Sequence, residues 1–259
     1  MLHYSRYNHV SSQEWVTFIH GAGGNSSIWF RQVREFKKNF NVLLVDLRGH
    51  GNSKNTFKET LSRYSFRSVT KDILDVLEHL KIEKSHFVGI SMGCILAREL
   101  AEIAPNKVKS LILGGAVLKL DLRSQILMKL GNVFKSVLPY MVLYKLFAFV
   151  ILPKRKHKHS RNIFIREAQK LYQKEFLKWF RLTSDLNPIL KFIRNKEINI
   201  PTLYVMGDED YLFLPAVKKI SQLHKTAKLE ILPQCGHIVN IENWRLFNQT
   251  SISFIKQLG

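Results

Sequence analysis

Three short stretches, far apart in the chain, hold the residue types of a nucleophilic hydrolytic site. The first is Gly89-Ile90-Ser91-Met92-Gly93, set between the apolar run HFVGI and the helical pattern CILARELAEIA. Glycines two positions before and two after the serine let a strand turn sharply into a helix and leave the Ser91 hydroxyl exposed at the tip. The same letters would also suit an ordinary glycine-rich turn. The strand before and the helix after favour a nucleophile elbow.

A serine hydroxyl is a weak nucleophile at neutral pH, so it needs a base for its proton and an acid to orient that base. His237, in Gln234-Cys235-Gly236-His237, follows the last apolar run, where a glycine permits a tight loop that presents the imidazole. It is the expected base, against the plainer reading of a surface or capping histidine. For the acid, Gly207-Asp208-Glu209-Asp210 offers three carboxylates after the run PTLYVMG. Asp210 is expected, because it precedes the apolar Tyr211-Leu212-Phe213-Leu214-Pro215 and can turn inward while Asp208 and Glu209 stay in solvent. Asp208 is the substitute. Acyl transfer also needs donors for a tetrahedral oxyanion. His20-Gly21-Ala22-Gly23-Gly24 leaves the run WVTFI as a loop, so the backbone amides of Ala22 and Met92 are the expected pair, with His20 bracing the loop.

Elements of alternating type must position these residues. Six β-rich apolar runs are readable: WVTFIHG from Trp15, FNVLLVD from Phe40, HFVGI from His86, VKSLILGG from Val108, PTLYVMG from Pro201 and AKLEILP from Ala227. Helical patterns lie between them, including SIWFRQVREFKKNF and SVTKDILDVLEHLKI, whose Asp72, Asp75 and Glu78 read as solvated surface. The expected class is α/β, a mostly parallel sheet with helices on both faces, and its functional groups gather beyond the carboxyl ends of the strands.

From about Ala116 to Asp185 the alternation stops and helical periodicity takes over. The expected organisation is therefore a core of residues 1–115 and 186–259 with a helical lid at 116–185. VFKSVLPYMVLYKLFAFVIL, from Val133 to Leu152, approaches the roughly 20 apolar residues that span a bilayer, but Lys135, Pro139 and Lys145 interrupt it. An amphipathic lid fits better. Leu127, Leu130, Phe134 and Met141 are among the side chains expected either to line an apolar pocket or simply to pack the lid.

HGAGGNSSIW, DLRGHGNS, GISMG, the GDED stretch and CGH resemble, in order and spacing, the α/β-hydrolase superfamily over nearly the whole chain apart from the lid. Within it the sequence is similar to small esterases: carboxylesterases, enol-lactonases, monoacylglycerol lipases and pimeloyl-carrier-protein methyl ester esterases. The resemblance implies Ser91, Asp210 and His237 as a catalytic triad, in the chain order this superfamily uses. It also implies an oxyanion hole at Ala22 and Met92, a small-molecule ester substrate and no cofactor. Arg48 and His50, in a loop the superfamily uses mainly for structure, receive no catalytic role. The short N-terminal region leaves one or both of the first antiparallel strands of that fold in question.

The 40 Lys and Arg against 20 Asp and Glu give a net charge of +20, unusual for a small-molecule enzyme. Between Lys119 and Arg181 stand fifteen cations and three acids, so 15 − 3 = +12 of the excess sits in the lid. Its expected partners are an acidic carrier protein or an anionic membrane surface; no nucleic acid is expected, since no interleaved aromatic and basic module appears. PKRKHKHSR, from Pro153 to Arg161, reads as a solvated loop, and His157 with His159 makes only a weak metal pair. Cys94 and Cys235 show no metal spacing and are expected as free thiols, Cys94 in helix packing and Cys235 near the pocket. The first residues lack the apolar run of a secretory signal, so a cytoplasmic location is expected.

Overall fold

The structure is a computed structural model that describes residues 1–54, 64–134 and 138–258. Seven strands form one sheet in the order β1-β3-β2-β4-β5-β6-β7. They are β1 (Tyr4–Tyr7), β2 (Trp15–Ile19), β3 (Asn41–Val45), β4 (Ser85–Ile90), β5 (Val108–Gly114), β6 (Thr202–Gly207) and β7 (Ala227–Leu232). The six runs read from the sequence are β2 to β7, all parallel to one another. One opening antiparallel strand is also present: β1 pairs β3 with Tyr4 opposite Val45. Its YSRY sequence is half exposed and carries no buried run, which is why periodicity alone passes over it.

Both faces of the central strands are covered, so their residues read as continuous apolar runs rather than as an alternation. Ile19, Leu43, Val45 and Phe87 pack into the core on one face; Val16, Phe18, Val42 and Val88 pack into the core on the other. Phe18 lies between Trp29 and Phe36, with ring centroids 4.9 and 5.0 Å away. Truncating such a ring to alanine costs about 3–5 kcal/mol.

The helices are α1 (Phe30–Phe36), α2 (Phe66–His79), α3 (Met92–Ile103), α4 (Leu122–Phe134), α5 (Tyr140–Ile151), α6 (Lys158–Ala168), α7 (Gln173–Arg181), α8 (Leu186–Asn195), α9 (Leu214–Leu223), α10 (Val239–Glu242) and α11 (Trp244–Lys256). Helices α4 to α8 follow one another between β5 and β6 without a strand among the described residues; a separate apolar cluster of Leu143, Tyr144, Leu171, Phe176 and Phe180, with Met128 and Phe164 against it, joins α4 through α7, while Leu190 and Ile193 of α8 pack into the main core. The long apolar run divides between α4 and α5 with Pro139 at the start of α5; Lys135 lies outside the described residues. No helix among the described residues is long and apolar enough to cross a membrane.

Candidate active site

Ser91 stands between the end of β4 and the start of α3 with φ 53° and ψ −116°. Positive φ at a residue with a Cβ costs of order 1–3 kcal/mol and persists only where the surroundings impose it. Here they do. A Cβ on Gly93 would lie 2.2 Å from the Ile19 carbonyl oxygen, and one on Gly89 would lie 2.6 Å from the Gly93 backbone. The Ser91 amide donates to Gly114 O at 2.9 Å, and Cys94 packs beneath the turn with Sγ 3.3 Å from that same oxygen.

The His237 ring lies between the two other predicted groups. Its Nε2 is 3.0 Å from Ser91 Oγ and its Nδ1 is 2.8 Å from Asp210 Oδ2. An Nδ1–H donating to the carboxylate leaves Nε2 free to accept the serine proton, the tautomer a general base needs. His237 and Asp210 are both buried, and Phe213 packs its ring 5.0 Å from the imidazole. The structure thus brings Ser91, His237 and Asp210 into one hydrogen-bonded chain, assembled from the ends of β4, β6 and β7.

Of the three carboxylates in 208–210, Asp210 is the one that meets the histidine. Asp208 is exposed, and its Oδ1 accepts from the Cys235 amide at 3.0 Å, tying the loop after β6 to the loop after β7. Glu209 departs from its expected place in solvent. Its carboxylate is held by Lys156 Nζ at 2.6 Å, Lys154 Nζ at 2.9 Å and His157 Nε2 at 2.9 Å. The Lys156 and Lys154 ammoniums lower its pKa to about 2. The basic stretch 153–161 is therefore not a free solvated loop: it forms a short turn at Arg155–His157 and the start of α6, and part of its charge neutralises this chain's own glutamate.

The loop after β2 closes on the serine turn. A Cβ on Gly21 would lie 3.1 Å from Ile90 O and 3.3 Å from Ser91 Cβ, so the approach is backbone to backbone. The Gly23 amide donates to His50 Nε2 at 3.0 Å and the Gly24 amide to Gly21 O at 3.1 Å. The amides of Ala22 and Met92 donate to nothing among the described residues; Met92 begins α3, where no intrahelical acceptor is in reach. The Ala22 carbonyl accepts from Tyr144 Oη at 2.8 Å, a contact from α5 that fixes the loop.

Two histidines brace this loop from below. His20 Nδ1 donates to Gly21 O at 2.7 Å while its Nε2 accepts from Leu47 N at 3.0 Å. His50 Nδ1 donates to Arg48 O at 2.9 Å. Burial, with a smaller contribution from His20, pushes the His50 pKa down to about 3. Asp72 corrects an expectation: on α2 it is buried rather than solvated, and its Oδ1 accepts from Arg48 at 2.8 Å.

An apolar cavity of about 210 Å³ reaches Ser91 and His237 and is walled mainly by the helices between β5 and β6, with no Lys, Arg, Asp or Glu among the described residues that line it. Of the lid residues named from sequence, Leu127 lines it. Leu130 and Phe134 sit on the outer side of α4 and are exposed, and Met141 packs within the cluster of Leu143 and Phe176. Spacing could not separate these cases because both faces of α4 are apolar. Cys235 also departs from its expected place at the pocket: it is fully buried against the sheet, beside Leu232 and Val239. Glu242 carried no sequence signal. Its Oε2 accepts from the Gly236 amide at 2.6 Å and its Oε1 from Ser160 Oγ at 2.6 Å, partners that lie far away in the chain or on the backbone. Among the described residues no group of three or more His, Cys, Asp or Glu side chains is arranged to hold a metal ion, and His157 is buried while His159 is exposed.

A family model for the alpha/beta hydrolase fold matches residues 14–243. The chain belongs to this family. The hydrolase is 29% identical to a pimeloyl-[acyl-carrier protein] methyl ester esterase of Wigglesworthia glossinidia brevipalpis, over 94% of each chain. It is also 29% identical to a 2-hydroxy-6-oxononadienedioate/2-hydroxy-6-oxononatrienedioate hydrolase of Comamonas testosteroni, over 96% of this chain and 90% of that one. The enol-lactonase from Burkholderia xenovorans LB400 superposes with a TM-score of 0.79 at 21% identity, over 98% and 96% of the two chains. For this hydrolase that last likeness concerns the fold.

Proposed function

We propose that the protein is a serine esterase that cleaves carboxylic esters with an uncharged, apolar acyl group. The observation that carries this reading is the chain Ser91–His237–Asp210, with contacts of 3.0 and 2.8 Å, opening on an apolar cavity without charged groups among its described lining residues. In the proposed reaction Ser91 Oγ attacks the acyl carbon as its proton passes to His237 Nε2. Asp210 holds the ring and stabilises the imidazolium. The amides of Ala22 and Met92 donate to the oxyanion, an interaction worth about 2.7–4 kcal/mol per donor in comparable sites. His237 then protonates the departing alkoxide. A water, deprotonated by the same ring, attacks the acyl-serine and releases the acid.

Charge in the acyl group would count against a substrate. Burying a carboxylate without a partner costs several kcal/mol, and the described residues of the cavity wall include no cation to pair with it. The dioate named for the Comamonas testosteroni relative is therefore a poorer model for this pocket than a neutral alkyl ester.

The test is a panel of p-nitrophenyl esters of increasing acyl length, run beside monoacylglycerols, lactones, acyl thioesters and a half-ester with a free carboxylate. Turnover of the neutral esters that vanishes in Ser91→Ala, with the half-ester slower by about a hundredfold or more, is the expected result. Preference for a lactone or thioester would keep the triad and replace the ester. Covalent labelling of Ser91 by a fluorophosphonate without turnover of any substrate would instead describe a ligand sensor and overturn the enzymatic reading.

A further inference from the structure

Helices α4 and α5 are apolar on the sides they turn outward. On α4, Leu122, Ile126, Leu130 and Val133 recur at helical spacing and are exposed, Leu122 by 72% and Val133 by 69%. On α5, Val142, Leu146 and Phe149 do the same. The two helices are neighbours, since a Cβ on Gly131 of α4 would lie 2.9 Å from the Phe147 ring of α5. Their inner sides are already used: Leu127, Met128 and Phe147 line the cavity beside Ser91. Scattered exposed leucines need no explanation, but seven exposed apolar side chains on two adjacent helices are a surface of the kind found at interaction sites.

Lysines beside this face have no carboxylate partner among the described residues, because the nearby acids are already engaged. Glu167 is taken by Arg166 and Lys170, and Glu175 by Lys178. Asp121 caps α4 by accepting from the Ser124 amide at 2.8 Å. Lys119, Lys129 and Lys145 are exposed and form no ion pair among the described residues, and the segment from Lys119 to Arg181 carries a net +12.

We propose that the outer sides of α4 and α5 dock on an anionic lipid surface. An apolar stripe rimmed by lysines is the pattern of helices that lie in the headgroup region, where leucine and phenylalanine enter the acyl boundary and each lysine meets lipid charge. A second copy of the chain fits less well, because two faces of the same strong positive charge repel. Nucleic acid would take the lysines and leave the leucines in water. The docking is independent of the chemistry at Ser91, and the two helices that would rest on lipid are those whose inner sides line the cavity.

Vesicle co-sedimentation decides the matter, using the full chain with phosphatidylcholine vesicles and with mixed phosphatidylcholine and phosphatidylglycerol vesicles. The expected result is partitioning onto the mixed vesicles that weakens as salt rises. A Lys119→Gln, Lys129→Gln, Lys145→Gln triple variant should weaken it on the order of a hundredfold, at about 1 kcal/mol for each charge near the surface. A Leu122→Gln, Ile126→Gln, Val133→Gln variant should also lose it, even at low salt, while its circular dichroism stays unchanged. Ser91→Ala should bind vesicles like the parent chain, which separates this test from that of the proposed reaction. Absence of binding by the parent chain overturns the proposal. So does wild-type binding by the apolar triple variant, which would assign the attraction to charge elsewhere. A concentration-dependent dimer abolished by that variant would assign the face to a second copy, and equal affinity for an acidic carrier protein without vesicle binding would assign it to that partner; either result overturns the lipid proposal.

Discussion

The carboxylate of Glu242 accepts a 2.6 Å hydrogen bond from the amide of Gly236, the residue immediately before His237. Its other oxygen accepts from Ser160 at 2.6 Å, so one side chain joins the histidine loop to α6. Asp210 is held in parallel: its neighbour Glu209 is clamped by Lys154, Lys156 and His157 of the same segment. The helices over the site and the two loops that carry Asp210 and His237 are thus cross-tied.

Removing the tie at Glu242 should loosen the histidine without emptying the pocket. Glu242→Ala leaves the Gly236 amide unpaired, at a cost of about 1–3 kcal/mol in stability. Turnover should fall roughly tenfold with little change in KM, because His237, the proposed base, is displaced while the cavity wall is intact. Glu242→Gln should recover most of this, since an amide oxygen still accepts from Gly236. Equal melting temperatures and equal kcat for Glu242→Ala and the parent chain would refute the cross-tie.

Ser91→Ala and His237→Ala should each lower ester turnover by several orders of magnitude with the fold intact, because such groups act as a unit. Asp210→Asn should cost on the order of 10⁴ in kcat by favouring the wrong imidazole tautomer. Asp208→Asn should retain most activity, since that carboxylate meets the Cys235 amide and not the ring. Near-normal kcat in Asp210→Asn together with a collapse in Asp208→Asn would reverse the assignment of the acid.

Stability should decline on mild acidification. His50 is buried neutral with its pKa at about 3, against 6.5 when exposed, so below 6.5 the unfolded chain binds a proton that the folded chain refuses. Its contribution is complete above 6.5 and is lost as pH falls from there towards 3, by up to about 1.4 kcal/mol for each pH unit. Burial lowers the pKa of His20 in the same direction. Glu209, held at about 2, loses its stabilisation only below its ordinary 4.5 and leaves the upper part of this window clear. Urea midpoints at about pH 7 and about pH 5 should therefore differ clearly in the parent chain and less in His50→Gln; pH-independent midpoints would show that His50 is not held neutral.

Gly93→Ala should destabilise the fold by about 3 kcal/mol, because the added methyl meets the Ile19 carbonyl oxygen, a backbone atom fixed between two strands. Thermal denaturation reads this directly. A loss below about 0.5 kcal/mol would mean that the serine turn is not as tightly packed against β2 as the geometry requires.

Much of this was legible in the sequence, for identifiable reasons. Buried parallel strands show as unbroken apolar runs, so β2 to β7 could be read directly, and the loops carrying Ser91, Asp210 and His237 followed from being just beyond those runs. The serine turn needs small residues at positions 89 and 93, and that need is written in two letters. β1 was not legible, since a half-exposed edge strand of four residues has no pattern of its own.

What only the tertiary structure decided is the pairing of polar groups distant in sequence. Asp72 read as a surface acid on an amphipathic helix until Arg48 was found beside it, and Glu209 and the lysines of 153–161 read as independent solvated charges until they met. The outward position of Leu130 and Phe134 belongs to the same class, because α4 is apolar on both sides and hydrophobicity alone does not say which side faces the cavity. Periodicity reports how one element divides its own surface; which charge meets which, and which apolar face is left uncovered, depends on contacts between elements that local sequence does not encode.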